Sequence, residues 1–179
     1  RLRHFLTTAA LDLLLPKLDG LSLATRMLEL RPSTRILILS SECDDYTIRE
    51  ATHSGVLGFV DKTEMSLELL FAAFNNVTAG VGYFSFNAQQ VIAKLWQDPL
   101  AYYKLLSPRE LQVIRLIAKG YDAEQSAQVL RIQSSTVRRH NSNAMKKLQV
   151  RDEACLVRYA LQIGMIKFKS GLDWTESPD

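Results

Sequence analysis

The sequence predicts two units: an α/β unit with a parallel sheet, then a small unit built only of helices. Three observations predict it. Short apolar runs alternate with helix-length amphipathic stretches up to about residue 80. No strand-like run remains between Ser107 and Gly164. Charge also changes sign along the chain: residues 1–100 hold 9 Lys/Arg against 11 Asp/Glu, a net of −2, and residues 101–179 hold 13 against 8, a net of +5. Alternating strands and helices favour a parallel sheet with helical crossovers, and a basic unit suits a polyanionic partner.

The elements follow in order. Residues 11–15 are an apolar run around Asp12 that reads as a strand, stopped by Pro16 and the turn-like Asp19-Gly20. Thr7, Thr8, Ala9 and Ala10 before it are less apolar than a buried strand should be. A helical pattern on Leu23, Met27, Leu28 and Leu30 comes next, and Arg31-Pro32 ends it. Residues 36–39 (ILIL) form a continuous apolar run, as a strand buried on both faces does. Residues 44–53 read as a helix stopped at Gly55, 56–60 as a strand, and 66–79 as a helix stopped at Gly80. Past Gly82 the pattern predicts one helix over 87–97, broken by Asp98-Pro99. The expected boundaries are an α/β domain at 1–82, a linker with one helix at 83–104, a helical domain at 105–168 and a tail at 169–179.

The helical domain is well punctuated. Ser107-Pro108-Arg109-Glu110 combines a Ser N-cap, Pro at N1 and Glu at N3. Leu111, Ile114, Ile117 and Ala118 then recur on one face, and Gly120 closes the helix. Asp122 caps a second helix with Gln125 at N3, running to about Leu130; a third spans 134–148 and a fourth 152–164. The apolar stripe of the fourth (Leu156, Val157, Ala160, Leu161, Ile163) is wider than a small core needs, which makes it a candidate dimer surface. The plainer alternative packs it on the first helix of the same domain.

Composition narrows the function classes. A hydrophobic share of 47% and a charged share of 23% are ordinary for a globular protein. No apolar run approaches the roughly 18 residues that span a bilayer, so no membrane role is expected. The N-terminus, broken by His4, two threonines and Asp12, is a poor signal peptide. Cys43 and Cys155 lie far apart in no ligand spacing, which argues against a metal site or disulfide framework and for a reducing cytoplasm. There is no Gly-rich phosphate loop and no nucleophile–His–acid set, and His53 and His140 sit on helices without carboxylate neighbours, so no enzyme is expected.

The stretch SSTVRRHNSNAMKKL, residues 134–148, carries the functional question. At 3.6 residues per turn, Val137, Asn141, Ala144 and Leu148 share one face. Arg138, Ser142 and Met145/Lys146 lie on another, with Arg139 and Asn143 beside them. Three residues, Arg131, Ile132 and Gln133, connect it to the preceding helix, which is helix-turn-helix spacing. In that motif the second helix enters the major groove. There Arg138 and Arg139 suit the O6 and N7 of guanine, whereas Lys146 and Lys147 suit phosphates. A solvated cationic helix accounts for the same charges, and pattern alone leaves both readings open.

A family resemblance bears on the choice. LLSPRELQVIRLIAKGYDAEQSAQVLRIQSSTVRRHNSNAMKKLQV resembles the LuxR-type helix-turn-helix of NarL/FixJ-class response regulators. The resemblance rests on Ser107-Pro108-Arg109-Glu110, Ala118-Lys119-Gly120, Ala127, Leu130, Ile132, Thr136-Val137-Arg138, His140, Lys147-Leu148 and Val150. It implies that Val137 packs the recognition helix down and that Arg138, Arg139 and Ser142 face bases. It also implies that Thr136, His140 and Lys146, with Lys147, lie by the DNA backbone. Three positions depart from the family's pattern. Gln133 stands where a Ser normally caps the recognition helix, so capping passes to Ser134 or is lost. Ser126 replaces an aliphatic core residue, and Gln149 replaces a Gly where a positive φ would be strained.

The same class places a receiver ahead of this domain, and the residues at 12–20, DLLLPKLDG, resemble its phosphoacceptor segment. The resemblance implies a flavodoxin-like parallel sheet with Asp12 as phosphoacceptor, Ser40 and Lys62 as its switch hydroxyl and lysine, and Phe59 as the switch aromatic. An Asp at a strand's C-terminal edge can serve as nucleophile, with Lys62 and the Ser40 hydroxyl answering the added charge. Taken singly, a turn-forming Asp, a capping Ser and a solvated Lys are the plainer readings; their shared order and spacing favour the joint one. The receiver's first strands, and the acidic pair that helps bind Mg²⁺, have no counterpart before Asp12. The sheet is thus expected to lack its first strands, either because residues precede Arg1 or because the receiver is degenerate, and the first is preferred. With that acidic pair present, Mg²⁺ is the expected cofactor. The implied function is that of a bacterial cytoplasmic transcription regulator, phosphorylated by a sensor histidine kinase and binding double-stranded DNA as a homodimer. The alternative is a pseudo-receiver governed by partner binding or dimerisation rather than by phosphate.

Overall fold

The structure is a computed structural model and describes residues 7–13 and 20–167. Pro16, Asp19, the last two positions of the expected 11–15 strand and the 169–179 tail lie outside the described residues. The chain divides into two compact units, Arg1–Pro99 and Leu100–Asp179.

In the first unit the elements are β1 (Thr8–Asp12), α1 (Gly20–Leu30), β2 (Arg35–Ser40), α2 (Asp45–Ser54), β3 (Gly58–Asp61), a 3₁₀ turn (Lys62–Glu64), α3 (Leu67–Ala79), β4 (Tyr83–Phe84) and α4 (Phe86–Gln97). The four strands lie in the order β1-β2-β3-β4, every pair parallel. A strand sends successive side chains to opposite faces, so the ILIL run feeds two cores. Ile36 and Ile38 join Phe59, Ala24, Ile48, Ala51 and Ala88 beneath α1, α2 and α4. Leu37 joins Val60, Ala73 and Val77 beneath α3. Helix ends follow the local signals. Asp44 and Ser66 accept from the backbone N–H of Thr47 and Leu69, and Gly55 and Gly80 close α2 and α3 with φ of 87° and 84°.

Two expectations are corrected here. The first strand is Thr8–Asp12, not 11–15, because its ladder runs from Thr8↔Arg35 to Asp12↔Leu39. The small Thr and Ala residues fit at one end of the described sheet, where β1 residues are half-buried or exposed. The helix expected in a linker belongs to the first unit. Tyr83 and Phe84 add a strand beside Gly58 and Phe59, α4 packs across α2 and β3, and Lys94 Nζ lies 2.8 Å from Asp45 Oδ2.

The second unit holds α5 (Tyr102–Leu105), α6 (Pro108–Ala118), α7 (Ala123–Leu130), α8 (Ser134–Lys147) and α9 (Glu153–Gln162). Both expected capping boxes form, Ser107 with Glu110 and Asp122 with Gln125. α8 packs on α6 and α7, and α9 on α6. Val113, Ile114, Val137, Ala144, Leu156 and Ala160 are fully buried. The stripe on α9 thus spends Leu156 and Ala160 inside its own domain. Gln133 is the N-cap of α8 and makes no side-chain capping bond; Ser134 lies inside the helix, so capping does not pass to it. Gln149 does adopt a positive φ of 57°, and so does Arg131 at 52°, which no glycine announces. Among the described residues no helix is long and apolar enough to cross a membrane.

Candidate functional site

Three parallel strands end side by side, and the first candidate site sits on those ends. The pairings Asp12↔Leu39 and Ser40↔Asp61 align the C-terminal edges of β1, β2 and β3, the edge where open α/β sheets bind ligands. Lys62, directly after β3, places its Nζ 2.5 Å from Asp12 Oδ2. Both side chains are about one-third exposed, at 33% and 39%, so a reagent from solvent can reach the carboxylate. α1 closes the floor. A methyl group on Gly20 would lie 2.6 Å from Leu13 Cα and 2.9 Å from the Asp12 carbonyl oxygen, so only glycine lets the helix start this close.

The other two expected switch residues are near but inward. Ser40 is fully buried, and its Oγ accepts the Glu42 N–H at 3.1 Å. Phe59 is fully buried in the core shared with α2 and α4. It pairs with Ile38, two residues before Ser40, and therefore faces the same side of the sheet.

A polar latch that sequence reasoning missed adjoins Lys62. Asp61, 4% exposed, accepts from Thr63 N and Oγ1 at 2.8 and 2.7 Å and from Asn87 Nδ2 at 2.8 Å. Its own N–H donates to Ser85 Oγ at 3.0 Å, and Glu64 accepts the Asn87 N–H at 3.1 Å. Burial works to raise the Asp61 pKa, but the Asn87 and Thr63 hydrogen bonds prevail and hold it below the usual carboxylate value. Nearby, burial first, then the charges of Asp61, Glu64 and Asp44, push the Cys43 thiol up to about 12, which keeps it protonated and unreactive. Nothing in the sequence pattern ties Ser85 and Asn87 to Asp61, more than twenty residues earlier. Among the described residues no group of three or more His, Cys, Asp or Glu is placed to hold a metal ion.

The second candidate site is the outer face of α8. Val137, Asn141 and Ala144 are buried and anchor the helix, while Arg138, Arg139, Ser142 and Lys146 are exposed and Thr136 and His140 are half-buried beside them. Arg138, Ser142, Met145 and Lys146 line an open groove of about 320 Å³ with Val150 and Arg151. Arg151 lies beyond the helix and was not anticipated.

The cations differ in how they are held. Arg138 Nη2 forms an ion pair with Glu124 Oε1 at the start of α7, both side chains more than half exposed. Lys147 turns inward: its Nζ is 2.7 Å from Glu110 Oε2, a carboxylate 5% exposed, so it has a partner inside its own domain. The same Glu110 accepts from Ser107 N at 2.8 Å and Ser107 Oγ at 2.9 Å. Arg139 and Lys146 make no ion pair among the described residues.

The family of bacterial regulatory proteins described as luxR (GerE) matches residues 104–160. Over 157 residues the chain is 29% identical to the response regulator protein VraR of Staphylococcus aureus, covering 88% of this chain and 75% of that protein. In fold it is similar to the two-component response regulator RcsB in a DNA complex, with a TM-score of 0.53, 23% identity, and 88% and 75% of the two chains covered. It is likewise similar to RcsB from Salmonella enterica serovar Typhimurium bound to promoter rprA in the presence of phosphomimetic BeF3⁻, with a TM-score of 0.55, 23% identity, and 85% and 73% covered. The luxR match is confined to the helical unit, so residues 104–160 form a LuxR-type helix-turn-helix domain, while the similarity to the response regulator VraR and to the fold of RcsB runs through both units.

Proposed function

We propose that this chain is a transcription regulator that reads double-stranded DNA through α8 and is switched by phosphorylation of Asp12. The observation that carries the reading is the division of labour along α8: Val137, Asn141 and Ala144 hold it down while Arg138, Arg139, Ser142 and Lys146 face outward. A helix held in that way offers its first turns to base edges and its later cations to phosphates. The similar RcsB structures include DNA complexes and two dimers on two parallel DNAs; the proposal extends both features to this chain, as a homodimer in the bacterial cytoplasm.

At the other unit the phosphodonor is a sensor histidine kinase. An Asp12 carboxylate oxygen attacks phosphorus, the N–P bond of the kinase phosphohistidine breaks, and its electron pair stays on the imidazole. Lys62, already at ion-pair distance, offsets the added negative charge. Ser40 would release the Glu42 N–H and donate to a phosphoryl oxygen, dragging the loop after β2 with it. Mg²⁺ commonly takes one or two carboxylates beside phosphate oxygens and waters. Asp12 is the described residue suited to hold it, and the ion would neutralise phosphoryl charge.

The DNA reading is tested by binding to a duplex enriched by this chain from a random pool and to an unrelated duplex of equal length. Arg138→Ala should cost about 1–3 kcal/mol on the enriched duplex only. Lys146→Ala should weaken both and lower the salt slope by about one. Equal, small losses on both duplexes from Arg138→Ala would refute base reading.

A further inference from the structure

We infer that Glu124 sets the DNA specificity of this protein: it holds the Arg138 guanidinium away from phosphates and releases it to a base edge. The inference rests on the proposed DNA-binding function and adds a residue on a different helix to the recognition surface.

The geometry is a bridge between the two helices of the motif. Glu124 lies in the first turn of α7, Arg138 in the second turn of α8, and Arg138 Nη2 meets Glu124 Oε1. The contact is not structural in the way the neighbouring one is. Lys147 meets a carboxylate that is 5% exposed and already bonded to the cap of α6. Glu124 and Arg138 are instead 58% and 62% exposed, on the side that α8 turns outward. Exposed ion pairs are weak and exchangeable. The pair occupies one nitrogen of Arg138, and no other partner of the guanidinium is found among the described residues.

Two consequences follow from charge. With Glu124 in place, the pair is close to neutral, and Arg138 contributes little to the attraction that any DNA backbone exerts on cations. Glu124 also adds a negative charge to the surface facing phosphates. Both effects penalise random sequence. A guanine at the right position offers the guanidinium two acceptors in a matched plane, a stronger and directional replacement for one exposed carboxylate contact. The pair therefore yields to the correct base and resists an arbitrary phosphate. Arg139 makes no ion pair among the described residues, so its charge is not offset in this way.

The test uses the full chain, with the enriched duplex and the unrelated duplex at several salt concentrations. Glu124→Gln keeps size and helix position and removes the charge. It should tighten the unrelated duplex roughly 3- to 10-fold, with a salt slope steeper by about one. The enriched duplex should gain less, so the specificity ratio falls. In an Arg138→Ala background, Glu124→Gln should move both duplexes by one common factor. An equal gain on both duplexes in the otherwise native protein would reduce Glu124 to a diffuse surface charge and overturn the inference, as would no change at all. If the unsubstituted chain enriches no sequence and shows no salt-dependent duplex binding, the DNA-binding reading itself fails, and this inference with it. If it discriminates and Glu124→Gln preserves the ratio, only the inference fails.

Discussion

Ser126 illustrates how a single atom can carry an unmet cost. Its side chain is fully buried on α7, and its hydroxyl has no hydrogen-bond partner among the described residues. A buried hydroxyl loses water without compensation. Ser126→Ala should therefore stabilise the protein by about 1 kcal/mol, seen as a higher urea midpoint at unchanged slope. Gln149 carries another cost: its φ of 57° crowds the Cβ that a glycine would lack. Its N–H still donates to the Lys146 carbonyl and that of Val150 to Met145, so the strained residue closes α8. Ser126, Gln133 and Gln149 were legible because each departs from the pattern of the helix-turn-helix family that the sequence resembles. Arg131 was not, since a left-handed arginine leaves no mark in composition. The pairings of Arg138 with Glu124 and Lys147 with Glu110 were hidden for another reason: they join residues on different helices, and spacing along one helix says nothing of them.

At the scale of elements, α6 and α8 are tied through one carboxylate. Burial works to raise the Glu110 pKa, but hydrogen bonds from Lys147 and from the Ser107 backbone and hydroxyl outweigh it and hold it below the ordinary glutamate range. A carboxylate depressed in the folded state adds stability that is present above its unfolded value, near 4.3. That contribution is lost as pH falls through the folded value. Glu110→Gln should cost about 1–3 kcal/mol at pH 7, and urea titrations should show the difference shrinking as pH drops from about 5 towards 3. A difference that held constant down to pH 3 would remove the carboxylate charge from the explanation. Helices with Ser or Asp caps and Gly stops were legible almost to the residue, because those signals are local. β1 was misplaced because its limits are set by Arg35–Ser40 across the ladder rather than by its own leucines. β4 was missed because two residues give no periodicity, and α4 was assigned to a linker because its partners on α2 and β3 come from earlier in the chain.

For the molecule as a whole, control should run through Asp12. Beryllofluoride with Mg²⁺ should shift the chain towards a dimer in sedimentation and tighten duplex binding by about 5- to 150-fold, the usual span of coupling between sites. Asp12→Asn should abolish both responses. An unchanged sedimentation profile and unchanged affinity in the native chain would remove phosphorylation from the proposed function and leave partner binding as the control. The two contacts sit on adjacent residues: Lys62 pairs with Asp12, while Asp61 accepts from Asn87 at the start of α4. The order of the strands has a consequence for how such a protein is made. Each described strand pairs only with the strands next to it in the chain, β1 to β2 to β3 to β4. As the polypeptide leaves the ribosome, each new strand and its crossover can settle on an edge already finished. No pairing among the described strands waits for a distant later segment, and the sheet can grow in the direction of synthesis before the helices of the second unit have emerged.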